Sequence, residues 1–252
     1  MATDEDAAAT NPPNSKLLFP GLKIVYKERY EYATFSGKVN SVGLTVGHIG
    51  GGESVELHAA EDEQVIAKIL KRIEGTITTE DDEFTADISF LEMNSCCKVR
   101  NILRCPDLSK SIAERDYRLV LHKDIILLDE PVMVLDEGGF MKQGRITSSR
   151  FNCKANGTGK EVINSLCIVD ENNHAIAQPS QSGALVTSCP QAGSDVLRVY
   201  GIVTHVYESS DLSMTATIAN RLWDVLRVCH NSEQCSKVGL GDTLESIDFA
   251  GD

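Results

Sequence analysis

The sequence predicts an all-β fold, arranged as barrels or a sandwich and followed by one late helix. From Leu22 onward, short runs rich in Val, Ile, Tyr, Phe and Thr alternate with Gly, Asp and Asn, which indicates many short strands joined by turns. One long segment, after Ser213, carries apolar residues at helical steps. A chain of 252 residues is also long enough for one large core or two modest ones.

Composition and charge restrict the class of protein. Hydrophobic residues make up 42% of the chain and charged residues 24%, as in ordinary globular proteins. The net charge of −13 argues against nucleic acid or an anionic membrane surface as a partner. The acidic start lacks the pattern of a secretory signal, and no run of about eighteen apolar residues is present. We therefore expect a cytoplasmic protein, and its oligomeric state stays open.

The eight cysteines predict neither a metal site nor a disulfide framework. Cys96 and Cys97 are adjacent, and none of the others forms a Cys-x-x-Cys pair or a Cys/His ligand spacing. Cys167 lies between Leu166 and Ile168, in an apolar run. We expect free thiols packed as small hydrophobic side chains, and no metal or cofactor.

The order of elements follows from the same patterns. Residues 1–16 are expected to form a disordered acidic leader, because their Pro-containing, polar sequence cannot build a core. Residues 64–73 fit either a helix or a strand, and residues 105–110 are the expected connector between two strand-rich halves. The predicted strands are 22–26, 30–35, 42–46, 88–91, 118–122, 131–135, 163–169, 184–188 and 197–207.

The end of the chain is predicted to contain a helix over residues 213–230. Ser213 can serve as its N-cap, and apolar residues at three- and four-residue steps continue to Cys229. Residues 236–252 are polar and acidic, and we expect them to form a flexible tail.

The most informative motif surrounds Ser182. The run Ser-Gln-Ser-Gly-Ala at 180–184 places Ser182 in a turn supported by Gly183, and Gly-Ile-Val-Thr follows at 201–204. A nucleophilic serine needs a hydroxyl that stands clear of the chain, with backbone N–H groups converging beside it. By itself, Ser-Gly is only a turn signal.

Two further segments carry an imidazole and a carboxylate. His48 follows a strand in a Gly-His turn, and Asp87 opens the apolar strand Asp-Ile-Ser-Phe-Leu. Each has an ordinary explanation, as a surface histidine or as turn chemistry. Their order in the chain, His then Asp then Ser, in two strand-rich halves, is what favours a catalytic interpretation.

These motifs resemble those of the chymotrypsin/trypsin-like serine proteases. Residues 45–48 resemble the Thr-Ala-Ala-His turn of that family, and residues 87–91 resemble its Asp-Ile-Ala-Leu-Leu strand. Residues 180–184 and 201–204 resemble Gly-Asp-Ser-Gly-Gly-Pro and the following Val-Gly-Ile-Val-Ser. The resemblance spans about residues 22–229 and rests on these short motifs.

The resemblance implies two antiparallel six-stranded β-barrels, over residues 17–112 and 113–212, with the active site between them. It also implies a serine endopeptidase that acts on a protein or peptide substrate. Ser182 would attack the scissile carbonyl, His48 would take its proton, and Asp87 would fix the imidazole. The N–H groups of Ser180 and Ser182 would bind the oxyanion. Thr204 would occupy the place where the family has a serine near the carboxylate.

The chain departs from the family pattern at several positions. Ser180 replaces a Gly, which predicts a distorted oxyanion hole, and Gln181 replaces the Asp that pairs with a freshly cleaved N-terminus. Ile176 stands where trypsins place the Asp that recognises Arg and Lys. His205 and Val206 replace a Trp-Gly pair at the pocket mouth, where His205 either recognises acidic or amide side chains or has a structural role.

These departures keep a second interpretation open. A protease-fold protein that has lost turnover would act as a binding or interaction module with the same architecture. A third interpretation is that the chain is the protease domain of a larger polyprotein or receptor-like protein.

Overall fold

The computed structural model describes residues 15–80, 82–106, 114–135, 141–154, 159–209, 213–232 and 238–249. The first nine strands are β1 (Lys16–Leu18), β2 (Lys23–Tyr26), β3 (Glu31–Thr34), β4 (Gly37–Val39), β5 (Val42–Thr45), β6 (Glu56–Ala59), β7 (Val65–Thr78), β8 (Glu83–Met93) and β9 (Cys97–Val99). The remaining strands are β10 (Ile102–Pro106), β11 (Glu114–Leu121), β12 (Pro131–Leu135), β13 (Met141–Lys154), β14 (Glu161–Val169), β15 (Leu185–Ser188), β16 (Val196–Glu208) and β17 (Thr215–Arg221). A 3₁₀ turn covers Pro179–Gln181, and the helix α1 is Leu222–Asn231.

The first large sheet has the order β3-β2-β6-β7-β8-β5-β4. Its two ends are consecutive in sequence, because only Phe35 and Ser36 separate β3 from β4. The Phe35 N–H donates to the Leu22 carbonyl at 2.8 Å, and the Ser36 N–H donates to the Leu44 carbonyl at 2.9 Å. The continuous chain through β3 and β4 therefore pairs with β2 at one end of the sheet and with β5 at the other. The sheet thus closes on itself and forms the first barrel.

The second sheet closes into a ring of six strands. Its order β16-β15-β12-β13-β14-β17 returns to the start because β17 also pairs with β16. The β10–β11 hairpin extends the sheet through parallel pairing of β11 with β16. The predicted all-β fold with two barrels and a C-terminal helix is thus confirmed.

The ambiguous segment at 64–73 forms part of β7, a strand. Ala67 and Ile69 are buried while Lys68 and Leu70 are exposed, which is the two-residue alternation of a half-buried strand. Its β-branched residues fit this conformation.

The helix predicted over 213–230 begins only at Leu222, with Arg221 at the N-cap position. The preceding residues form β17, which lies between β14 and β16 and completes the ring. Pairing on both sides satisfies the backbone of this strand, and its central residues are buried. Part of the apolar pattern that predicts a helix therefore belongs to β17, a strand that is buried on both faces.

The boundaries of the barrels and the tail also differ from those predicted. The second sheet already begins with β10, before the expected division at 112, since β10 pairs with β11. The described part of the tail, residues 238–249, is packed instead of flexible: Phe249 forms a bridge with Val39, and the Leu121 N–H donates to Asp248 at 2.7 Å. Buried apolar tail residues join the core between the barrels; they are Val238, Leu240, Ile247 and Phe249.

Parts of the remaining expectations lie outside the described residues, namely residues 1–14 of the leader and 107–110 of the connector. The cysteines at 96, 97, 153, 167, 189 and 229 are free thiols. Burial raises the pKa of the Cys153 thiol to about 11, with Cys167 adding to the effect. In the described ranges, no helix has the length and hydropathy needed to cross a membrane.

Candidate active site

The first barrel brings His48 and Asp87 together. His48 follows the end of β5, and Asp87 lies on β8, the strand that pairs with β5. The His48 Nδ1 atom is 2.7 Å from Asp87 Oδ2. Because Nδ1 is committed to the carboxylate, Nε2 is the ring nitrogen that remains for proton transfer. The His48 side chain is 44% exposed and that of Asp87 14%, so the imidazole is open to a substrate while the carboxylate is shielded.

Gly47 allows the carboxylate to approach this closely. A Cβ atom on Gly47 would lie 2.6 Å from Asp87 Oδ1 and 2.7 Å from the Ile88 amide nitrogen. Both contacts are closer than any side chain tolerates, so the pair requires glycine at this position. Gly47, the glycine of the Gly-His turn, is therefore needed for the turn to pack closely against Asp87.

Asn220, on β17 of the second barrel, holds the strand that carries Asp87. Its Oδ1 accepts from the Asp87 backbone N–H at 2.6 Å, and its Nδ2 donates to the Thr85 carbonyl at 2.7 Å. Asn220 is buried, so both bonds are shielded from water. Sequence reasoning missed this residue; the available signal is a single amide that follows Ala-Thr-Ile-Ala at 216–219.

The turn that carries Ser182 is fixed against the first barrel. The Ser182 carbonyl accepts from the Thr34 N–H at 2.8 Å, and the Gly183 carbonyl accepts from the Ser36 hydroxyl at 2.6 Å. Gly183 has φ of +93°, and a Cβ there would lie 2.3 Å from the Thr34 carbonyl oxygen. Gly183 is thus required by both its conformation and its surroundings.

The Ser182 hydroxyl is directed to backbone carbonyls. It donates to the Thr204 carbonyl at 3.0 Å and lies 3.3 Å from the Pro179 carbonyl. Within the described part of the chain, no hydrogen bond joins Ser182 to His48. The structure therefore pairs His48 with Asp87, and it directs the Ser182 hydroxyl to the backbone of the second barrel.

Of the two predicted oxyanion donors, Ser180 lies in the 3₁₀ turn and Ser182 directly follows it. The Gln181 N–H donates to the Gln178 carbonyl at 2.9 Å, and φ of Ser180 is negative. The buried Gln181 side chain accepts from the Gln178 N–H at 2.7 Å. In this conformation the Pro179–Ser180 peptide presents its oxygen to the Ser182 hydroxyl. Since a peptide's C=O and N–H point in opposite directions, the Ser180 N–H faces away from the hydroxyl.

The residues predicted to bind substrate lie on β16 and before the turn. Ile176 is buried in the second barrel, and its N–H donates to the Thr217 hydroxyl at 3.0 Å. Thr204 is buried and Val206 is partly buried. The Thr204 hydroxyl is 3.0 Å from His205 Nδ1 and 3.2 Å from the Ile218 carbonyl. The Thr204 hydroxyl thus contacts His205 and the backbone of β17. The Thr204 carbonyl accepts a hydrogen bond from the Ser182 hydroxyl.

Comparison with solved structures identifies the fold. A Nocardiopsis protease matches with a TM-score of 0.56 at 11% identity, over 84% of this chain and 96% of that one. A Cellulomonas bogoriensis chymotrypsin matches with a TM-score of 0.54 at 13% identity, over 84% and 95% of the two chains. A glutamic-acid-specific serine protease, described as using a histidine triad in substrate binding, matches with a TM-score of 0.56 at 12% identity, over 84% and 97%. No protein-family model matches the sequence, and no curated protein matches it in sequence.

At these identities the likeness defines the fold: the chain is a divergent example of the chymotrypsin-like two-barrel architecture. Its structural neighbours are serine proteases, and activity has to be argued from the residues of the site.

Proposed function

We propose that this protein is a serine endopeptidase that uses Ser182, His48 and Asp87. The observation that carries the proposal is the 2.7 Å contact between His48 Nδ1 and Asp87 Oδ2. It orients an exposed imidazole with Nε2 available, as a general base requires. The three residue types also occur in the order of the chymotrypsin-like motifs, on the corresponding elements of a fold whose solved neighbours are serine proteases.

The proposed reaction proceeds through an acyl-enzyme. The Ser182 hydroxyl oxygen attacks the scissile carbonyl carbon while its proton moves to His48 Nε2, and Asp87 stabilises the imidazolium. His48 then gives the proton to the leaving amine as the peptide bond breaks. Water, activated by the same imidazole, hydrolyses the ester and regenerates Ser182.

The oxyanion of the tetrahedral intermediate needs donors beside Ser182. Turning the Pro179–Ser180 peptide would replace the carbonyl oxygen near Ser182 by the Ser180 N–H, which is the donor that the mechanism requires. We therefore expect acylation to involve this rearrangement, and a rate limited in part by the backbone restriction at Ser180.

Labelling with a fluorophosphonate tests the function, with intact-protein mass as the measurement. We expect one phosphonyl adduct on the wild-type protein, none on Ser182→Ala, and continued labelling of Ser180→Ala, which removes a neighbouring hydroxyl of the same turn. Asp87→Asn should slow labelling by about 10⁴-fold, because it fixes the wrong imidazole tautomer. Equal labelling of wild type and Ser182→Ala, or a wild type that is never labelled, would remove the proposal.

The second candidate is a protease-fold interaction module with impaired catalysis. It is favoured by the Ser182 hydroxyl donating to the Thr204 carbonyl and by the 3₁₀ turn at Ser180. This candidate predicts a folded wild-type protein that forms no acyl-enzyme, and partner binding that His48→Ala leaves unchanged.

A further inference from the structure

Cys96 and Cys97 form a pair of neighbouring thiols at the turn between β8 and β9. Their Sγ atoms are 4.0 Å apart, although consecutive side chains of an extended chain point to opposite sides. The turn removes this alternation: the Cys97 N–H donates to the Asn94 carbonyl at 2.8 Å, and the Cys96 N–H donates to Asn94 Oδ1 at 3.2 Å. These hydrogen bonds therefore hold the two sulfur atoms on the same side of the chain.

Neighbouring elements fix the position of this thiol pair. The Gln64 side-chain amide donates to Cys96 Sγ at 3.4 Å. Strand β1 pairs in parallel with β9, which places Lys16 opposite Cys97, and the Lys16 N–H donates to the Cys96 carbonyl at 3.0 Å. Both thiols are partly exposed, and Cys97 also packs against the core of the first barrel. An ion can thus reach the sulfurs, while the backbone that carries them is held by two other segments.

The geometry disfavours a disulfide between these two thiols. A disulfide normally joins Cα atoms that are about 4.4–6.8 Å apart, whereas consecutive Cα atoms are only about 3.8 Å apart. Closing the bond would therefore strain the chain. Burial raises the pKa of Cys97 to about 12, with Cys96 adding to the effect and Lys16 opposing it. This thiol is consequently a weak nucleophile at neutral pH, and the pair is better suited to hold an ion.

Two sulfur ligands define the class of ion that fits. Thiolates select soft cations, among them copper(I). With metal–sulfur bonds of about 2.2–2.3 Å, an ion held nearly in line between two sulfurs separates them by about 4.5 Å. The observed separation of 4.0 Å requires only a small movement of the thiols to reach this value. Within the described ranges, no group of three or more His, Cys, Asp or Glu side chains could hold a metal ion. This argues against zinc, whose structural sites take four ligands.

We propose that Cys96 and Cys97 form a binding site for copper(I), in which both sulfurs coordinate the ion as thiolates. Binding forms two copper–sulfur bonds and releases the two thiol protons to solvent, and no electron is transferred. The complex carries one net negative charge, which the Gln64 amide and the Lys16 ammonium offset. This site differs from the expectation from the sequence, because only the turn brings the two sulfurs to one side. It does not depend on the proposed peptidase activity.

Competition for copper(I) with the coloured chelator bicinchoninate tests the site on the full chain, without oxygen or added thiols. We expect the wild-type protein to withdraw copper(I) from the chelator, and Cys96→Ser and Cys97→Ser each to weaken this binding at least about 100-fold, since either leaves one sulfur ligand. The matched control is Cys189→Ser, which removes another partly buried thiol and should stay within about twofold of wild type. A wild type that takes no copper(I), or serine variants at 96 and 97 that bind as tightly as wild type, would overturn the proposal.

X-ray absorption at the copper edge identifies the ligands directly. For the wild-type protein loaded with one equivalent of copper(I), we expect two sulfur ligands at about 2.2 Å. Gln64→Leu keeps both thiols and removes the donor to Cys96, so it should keep this spectrum and bind about tenfold more weakly. Nitrogen or oxygen ligands, or three sulfurs, would contradict the two-cysteine site. This measurement on the wild type decides the proposal even where a serine variant does not fold.

Discussion

His48 and Asp87, both carried by the first barrel, are already in contact at 2.7 Å, whereas Ser182 in the second barrel directs its hydroxyl to the Thr204 carbonyl. The first pair is held by close backbone packing at Gly47 and by Asn220. The serine directly follows the 3₁₀ turn Pro179–Gln181, in which φ of Ser180 is negative. Both halves are held by hydrogen bonds to their surroundings, but only in the first do two of the candidate site residues contact each other.

This difference has a local cause. The carboxylate and imidazole are placed by strand pairing, which the fold fixes over many residues. The direction of the Ser180 N–H depends on the orientation of a single peptide, and serine disfavours the left-handed conformation that a glycine would adopt freely. The His48–Asp87 contact and the conformation of the Ser182 turn therefore depend on different parts of the fold.

The largest effect is expected at the contact between the Ser182 turn and the first barrel. Gly183→Ala would place a Cβ 2.3 Å from the Thr34 carbonyl oxygen at a φ of +93°. We expect a loss of about 4 kcal/mol in the free energy of unfolding, from left-handed strain together with overpacking. Urea denaturation measures this loss.

The control variant Gly193→Ala separates the left-handed strain from the overpacking. Gly193 also has a positive φ, +80°, but nothing lies within 4 Å of its Cβ position. It should lose only about 1 kcal/mol, from strain alone. Similar losses in the two variants would mean that the turn is not pressed against the first barrel.

A smaller effect is expected where the second barrel supports the His48–Asp87 pair. Asn220→Ala removes two buried hydrogen bonds and leaves the Asp87 N–H and the Thr85 carbonyl without them. We expect about 3 kcal/mol of destabilisation, because unpaired buried backbone groups are costly. Asn152→Ala, which removes an exposed amide that accepts from the Asn164 N–H, should lose less than about 1 kcal/mol. Equal losses would show that the support of β8 by Asn220 is energetically unimportant.

The sequence predicts the parts of this site that depend on local pattern. The Gly-His turn at 47–48 and the apolar run that follows Asp87 carry local signals that are recognisable over a few residues, although β8 itself begins earlier, at Glu83. The all-β fold is predicted by the same pattern of short strands. The resemblance of three motifs then links segments that lie far apart in the chain.

Other features depend on distant partners and could not be predicted in that way. Asn220 contacts residues more than 130 positions away, with a separation of 133 to Asp87. Strand β17 was predicted as helix because apolar steps do not reveal pairing with two neighbours. The tail packs because Phe249 and its neighbours meet a core built by both barrels, and no local pattern indicates this.

The smallest expected effect concerns the peptide before Ser182, and it decides whether the two halves of the site can be brought to the same state. Ser180→Gly removes the penalty on a left-handed conformation, about 1–3 kcal/mol, and so eases the turn of the Pro179–Ser180 peptide. We expect fluorophosphonate acylation to become about tenfold faster, since 1.36 kcal/mol corresponds to a factor of ten.

Ser180→Ala distinguishes the backbone from the hydroxyl. Alanine lacks the hydroxyl but keeps the backbone restriction, so its acylation rate should remain near that of wild type. Equal acceleration by Gly and Ala would mean that the Ser180 hydroxyl, and not its conformation, slows the reaction. Acceleration by Gly alone would locate the difference between the two barrels in one peptide unit.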